Sequence, residues 1–203
     1  MKLEQQEEVF INVYSIDYLL KCSVAEIAGK SIKICPASGK TDMFQICDPV
    51  VIISYHANQI EMFPADVISI DSKSCSIELN ISNIDVDQER RIFERYPASL
   101  EISARRKYSN KRLHMLVKNI SLYGMGAISS TELEVEDLID IDLITEKNMF
   151  YFSGKVMWRK KLNDDYFEYG IQLTDYDVTT QYQYQGYLNK QTSYFISLIP
   201  KAR

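Results

Sequence analysis

An all-β fold of two barrel-like domains with a C-terminal helix is predicted by three features of this chain. Short strand-like runs rich in Val, Ile, Tyr and Phe fill most of it, turn residues space them regularly, and the period becomes helical near Val178. Many short, evenly spaced strands are the pattern of barrels and sandwiches. The 203 residues suffice for two small domains or one large one. Only 7 Gly and 5 Pro are present, which argues against long disordered linkers.

The first half opens with Val9 to Ile16, where Val9, Ile11 and Val13 fall on one side and Phe10, Asn12 and Tyr14 on the other. Tyr18 to Ile27 and Ser31 to Cys35 follow, separated by a turn at Ala28-Gly29-Lys30. Met43 to Ile46, Pro49 to Tyr55, Glu61 to Ile70 and Cys75 to Ile81 complete the series. Their breaks are Ser38-Gly39, His56-Ala57-Asn58 and Asp71-Ser72-Lys73. No helical period competes here, and the half reads as a barrel or a sandwich.

Ser82 to Glu89 interrupts the pattern with polar residues and marks the domain boundary, giving domains at 1–85 and 86–203. A second series then runs through Ala98 to Ala104, Leu113 to Asn119, Met125 to Ser129, Asp137 to Ile144, Phe150 to Arg159 and Phe167 to Leu173. Turn signals at Ser109-Asn110, Glu146-Lys147-Asn148 and Asn163-Asp164-Asp165 separate strands within it. Six strands in that length are enough for a small closed barrel. From Val178, the residues Tyr182, Gln185, Leu188, Thr192, Phe195 and Ile199 recur at helical spacing. Thr179 or Thr180 is the expected cap and Pro200 the expected stop, with the helix packed on the barrel or on a partner protomer of a homodimer.

Charge narrows the function. A net charge of -5 argues against a nucleic-acid partner. Yet between Gln88 and Lys118 nine Lys or Arg face three Glu, and the acidic excess lies elsewhere, especially in Thr131 to Asp142. A positive island in an acidic protein suits a small anionic ligand. Cys22, Cys35, Cys47 and Cys75 form no Cys-x-x-Cys pair, and His56 and His114 lack ligand-like spacing, so no metal is expected. The polar N-terminus and the lack of a membrane-length apolar stretch give the expectation of a cytoplasmic protein with reduced thiols. No phosphate loop or nucleophile elbow appears, so no enzyme is expected. Trp158 reads as a core anchor, the tyrosines as packing, and Arg105-Arg106-Lys107 as a hairpin rim.

Two short motifs carry more information. The first is Arg90-Arg91-Ile92-Phe93-Glu94-Arg95, and the second is Asn119-Ile120-Ser121-Leu122-Tyr123-Gly124. Arginine forks suit phosphates and the O6/N7 edge of guanine. Asn and Ser offer short polar groups, or simply satisfy a turn, and Gly admits a close backbone approach. With Gly154-Lys155-Val156-Met157-Trp158 and Tyr169-Gly170-Ile171-Gln172-Leu173 downstream, residues from about Gln88 to Asp177 resemble the PilZ domain, the bacterial receptor domain for cyclic di-GMP. The first half, with Asp48-Pro49-Val50 opening a strand, is similar in arrangement to the N-terminal split barrel of flagellar-brake-type PilZ proteins.

That resemblance implies a C-terminal six-stranded PilZ barrel and a site built from Arg90, Arg91, Arg95, Asn119, Ser121 and Gly124. The arginines would lie on the interdomain linker and wrap the ligand's phosphates and guanine edges. Asn119 would bond a guanine edge, Ser121 would hold a phosphate or fix the turn, and Gly124 would keep the turn open. No cofactor is implied. The expected role is a receptor whose domain rearrangement is read by a protein partner in a flagellar motor, a pilus or polysaccharide synthesis. The alternative is a PilZ-like adaptor that ignores the nucleotide. Tyr123 and Glu94 depart from the family pattern: Tyr123 would crowd the pocket or stack on a base, and Glu94 would pair with an arginine of its own motif.

Overall fold

The computed structural model describes residues 3–16, 18–56, 59–82, 94–145, 147–191 and 193. It contains two closed six-stranded β-barrels and one C-terminal helix, as the sequence predicts. The expected boundary near residue 85 lies outside the described residues.

The first barrel comprises β1 (Glu8–Val13), β2 (Leu20–Ala28), β3 (Ser31–Pro36), β4 (Pro49–His56), β5 (Gln59–Asp71) and β6 (Ser76–Ile81). It closes in the order β1-β2-β3-β6-β5-β4 with antiparallel neighbours. Alternation explains the core: Val9, Ile11 and Val13 point inward to meet Val24, Ile32, Ile34, Val50, Ile52, Ile77 and Leu79. Each such side chain, fully buried, contributes roughly 1.5–3 kcal/mol. Phe10, on the other face of β1, joins Val51 and Ile53 in a smaller cluster.

Met43 to Ile46 does not form the expected strand. Local bonds take its backbone instead: the Gln45 amide donates to Asp48 Oδ2 (2.8 Å) and the Asp48 amide donates to the Gln45 carbonyl (3.1 Å). Cys47 then turns the chain at φ 72, and Asp48 lies buried at the turn. Phe44 still buries its ring in the core, so hydrophobicity was read correctly there and backbone pairing was not.

The second barrel comprises β7 (Tyr96–Arg106), β8 (Arg112–Ser121), β9 (Gly124–Ser129), β10 (Leu138–Ile144), β11 (Met149–Lys161) and β12 (Phe167–Asp175), closing as β10-β11-β12-β9-β8-β7. All six expected strands are present. Arg105, Arg106 and Lys107 are exposed at the β7–β8 hairpin, the rim position the sequence indicates. Tyr169 is buried inside, where its hydroxyl donates to the Thr131 carbonyl (2.8 Å) and accepts from the Leu133 amide (3.0 Å).

Helix α1 spans Val178–Asn189. Its cap is Asp177 rather than Thr179 or Thr180. The Asp177 carboxylate accepts from the Thr180 amide (2.9 Å) and hydroxyl (2.7 Å), and those bonds hold its pKa below the ordinary carboxylate value. The packed stripe matches expectation at Leu188, which is buried, and differs at Tyr184, which is buried while Val178 and Tyr182 are exposed. Aromatic contacts decide this, since Tyr184 packs on Phe150 and Phe152 of β11 with centroids 5.3 and 4.9 Å away. The helix therefore packs on its own barrel. Thr192, Phe195, Ile199 and Pro200 lie outside the described residues.

Candidate functional site

The second motif owes its orientation to a β-bulge. Along β8 and β9, Val117 faces Ala127 and the next partners are Asn119 and Gly126, so Lys118 is an extra residue. One extra residue reverses the alternation of side chains. Val117 is buried in the barrel, and without the bulge Asn119 would follow it inward. With the bulge, Ile120 is buried at 0% exposure and Asn119 and Ser121 take the outer face. Lys118 Nζ lies 3.0 Å from Glu168 Oε1, and the two side chains are 7% and 16% exposed.

Register then lines up four residues across four strands: Asn119 on β8, Gly126 on β9, Gly170 on β12 and Trp158 on β11. A second irregularity, between Val156 and Trp158, sets the far end of the row. The two glycines form a floor. A Cβ at Gly126 would stand 2.6 Å from Asn119 Nδ2, and one at Gly170 would stand 2.0 Å from Trp158 Nε1. The amide and the indole thus lie over the glycine backbones. Trp158 is 42% exposed, so it is an outer-face side chain and not a core anchor. Asn119 Oδ1 is buried and has no hydrogen-bond partner among the described residues. A buried, unsatisfied acceptor costs roughly 1–3 kcal/mol.

The next row is Ser121, Gly124, Gln172 and Lys155. Ser121 is buried, and its hydroxyl donates to the Gly124 carbonyl (3.1 Å). Of the two roles expected for Ser121, this bond serves the turn. Gly124 is required by the neighbouring strand: a Cβ there would stand 2.8 Å from the Ile171 carbonyl oxygen. Lys155 pairs with Glu136 at 2.5 Å.

Antiparallel pairing around the barrel brings the starts of β7, β9 and β11 and the ends of β8, β10 and β12 to one end. Arg95 immediately precedes β7, so it joins the barrel at the end where the Ser121–Gly124 turn lies. Arg90 and Arg91 lie outside the described residues. The Glu94 carboxylate accepts from the Tyr96 hydroxyl (3.0 Å). The Tyr123 side chain is engaged by α1, where Gln181 Nε2 donates to its hydroxyl (2.9 Å).

Sequence reasoning left Gly126, Gly170, Trp158 and Lys118 out of the site, with Trp158 read as a core anchor. Gly126 follows the second motif directly, and a glycine two residues beyond it on a strand was the available signal. Lys118 carried none, because a bulge is a property of pairing. Among the described residues, no group of three or more His, Cys, Asp or Glu side chains is placed to hold a metal ion, and no helix is long and apolar enough to cross a membrane.

This chain belongs to the PilZ domain family, whose profile matches residues 89–190, about half of the sequence. Among curated proteins, none matches it. Similar solved structures include YcgR from Escherichia coli in complex with c-di-GMP, at 14% identity, covering 98% of this chain and 89% of that one with a TM-score of 0.46. The Bacillus subtilis inhibitor of motility MotI/DgrA is 16% identical, covering 93% of this chain and 100% of that one with a TM-score of 0.37. The K. pneumonia MrkH–c-di-GMP complex is 11% identical, covering 95% of this chain and 90% of that one with a TM-score of 0.46.

Proposed function

We propose that this protein is a non-enzymatic receptor for cyclic di-GMP. Membership of the PilZ family supports the ligand class. The observation that carries the reading is the buried Asn119 Oδ1, which has no hydrogen-bond partner among the described residues and is held at the edge of a glycine floor. A guanine exocyclic amine is a donor of the right kind for that acceptor, and supplying it would recover the cost of leaving the oxygen unpaired.

In this reading Asn119 takes a guanine edge, Ser121 and Gly124 fix the turn beside it, and Arg90, Arg91 and Arg95 close on phosphates and Hoogsteen edges from the linker. The second barrel presents a preformed surface to the ligand, which keeps the ordering cost of binding there low. Closure of the arginines changes the orientation of residues 1–85 against residues 86–203, and a protein partner of a flagellar motor, a pilus or polysaccharide synthesis reads that change.

Titration calorimetry with cyclic di-GMP tests the proposal. Saturable heat is expected from the intact protein, should vanish in Arg91→Ala and Arg95→Ala, and should report weaker affinity in Asn119→Ala. No heat from the intact protein ends the reading.

A further inference from the structure

Besides the buried Ile120, the second motif contains two residues, Leu122 and Tyr123, that the binding role does not use. Both are held from the segment that starts helix α1. The Tyr176 hydroxyl donates to the Leu122 carbonyl (2.8 Å), and Gln181 Nε2 donates to the Tyr123 hydroxyl (2.9 Å). The rings of Tyr123 and Tyr176 lie 6.3 Å apart, tilted by 39°. On its other side Tyr123 is fixed to β12, because its carbonyl accepts from the Leu173 amide (3.0 Å).

Tyr176 and Gln181 bracket the helix cap at Asp177. Tyr176 also stands edge-on to Phe152 with centroids 5.6 Å apart. Burial, and then the neighbouring Tyr123, push its hydroxyl up to about 12, so it remains a neutral donor at ordinary pH. The helix has only 12 residues, and a segment of that length is marginal in water without tertiary support. Its support comes from Tyr184 and Leu188 at the barrel end and from the turn at its N-terminal end.

We infer that Tyr123 is a positioning residue. It joins the Ser121–Gly124 turn to the N-terminus of α1, so that order in the binding turn and docking of the helix support each other. This rests on the reading above that the turn belongs to a nucleotide site. It also accounts for a tyrosine that departs from the family pattern: the side chain leans on Gln181 and Tyr176. Coupling of this kind is reciprocal. Ligand on the turn tightens the helix by the factor by which a docked helix tightens the ligand.

The test uses the full-length chain with Tyr123→Phe, Gln181→Ala and the double variant. Calorimetry with cyclic di-GMP measures affinity, and amide hydrogen exchange over residues 178–189 measures helix docking with and without saturating ligand. One neutral hydrogen bond corresponds to roughly fivefold in an equilibrium constant. Each single variant should bind about fivefold more weakly, and the double variant no more weakly than either, since both remove the same contact. Ligand should slow helix exchange in the wild type and slow it less in the variants. A merely structural role would speed exchange equally with and without ligand. Wild-type heat with unchanged affinity in Gln181→Ala, or losses that multiply in the double variant, overturns the inference and leaves the receptor reading standing. Absence of wild-type heat defeats both.

Discussion

Replacing Gly126 with alanine tests the glycine floor most sharply. The added Cβ would stand 2.6 Å from Asn119 Nδ2 and 3.1 Å from both Cγ and Oδ1, against the 3.5–4.0 Å or so at which nonbonded heavy atoms rest. The atoms in the way belong to the end of a side chain, so the barrel can keep its register while the amide swings aside by about 1 Å or more. The cost then falls on binding. An amide that bonds a base edge well is worth about 1–3 kcal/mol, so Gly126→Ala should raise the Kd for cyclic di-GMP by roughly 5- to 150-fold. Calorimetry gives the affinity and a thermal melt reports the fold. Gly154→Ala supplies the contrast: its Cβ would meet Ile141 Cδ1 and Ile171 Cγ2 at 2.9 Å inside the barrel, so stability should fall instead. A Gly126→Ala protein that binds within twofold of wild type, or one that simply fails to fold, refutes the reasoning.

Other outcomes follow from the same coordinates. Burial pushes the Asp48 carboxyl up to about 6 against the pull of the Gln45 amide and the Tyr14 hydroxyl, from an ordinary 3.8. The folded state therefore holds this proton more tightly than the unfolded one. Its contribution is full below pH 3.8 and is lost as pH rises through about 6. Subtracting the pH-stability profile of Asp48→Asn from that of wild type should isolate that slope, and parallel profiles would count against it. Lys118→Met should destabilise the fold by leaving the half-buried Glu168 without its lysine, and Lys118→Met with Glu168→Leu should recover most of the loss in denaturant melts. Trp158 is the only tryptophan and lies at the far end of the Asn119 row, so cyclic di-GMP should change its fluorescence in step with the calorimetric isotherm. A flat fluorescence titration alongside saturable heat would remove Trp158 from the ligand face.

How much of this was legible in the sequence depends on the range of the forces involved. Alternating apolar residues such as Val9, Ile11 and Val13 announce a buried strand face because burial acts on each side chain where it stands. Turn residues announce breaks for an equally local reason: Gly29 reaches φ 63, the left-handed backbone the β2–β3 hairpin takes. Failures came where one segment's partner lies elsewhere. Met43 to Ile46 has strand composition, but Asp48 captures the Gln45 amide before a ladder can form. The helix appeared at the right place with Leu188 buried as expected, but Phe150 and Phe152 select Tyr184 over Tyr182 for the packed face.

The polar motif divides along the same line. The two motifs carry the resemblance to the family, and that resemblance supplied Arg90, Arg91, Arg95, Asn119, Ser121 and Gly124 as candidates. That Asn119 faces outward over Gly126, that its oxygen has no partner among the described residues, and that Tyr123 leans on the helix came only from the packed structure. The reason is geometric. A bulge, a cross-strand neighbour and a contact between residues 58 positions apart, such as Tyr123 and Gln181, exist only once separate stretches of chain have been brought together.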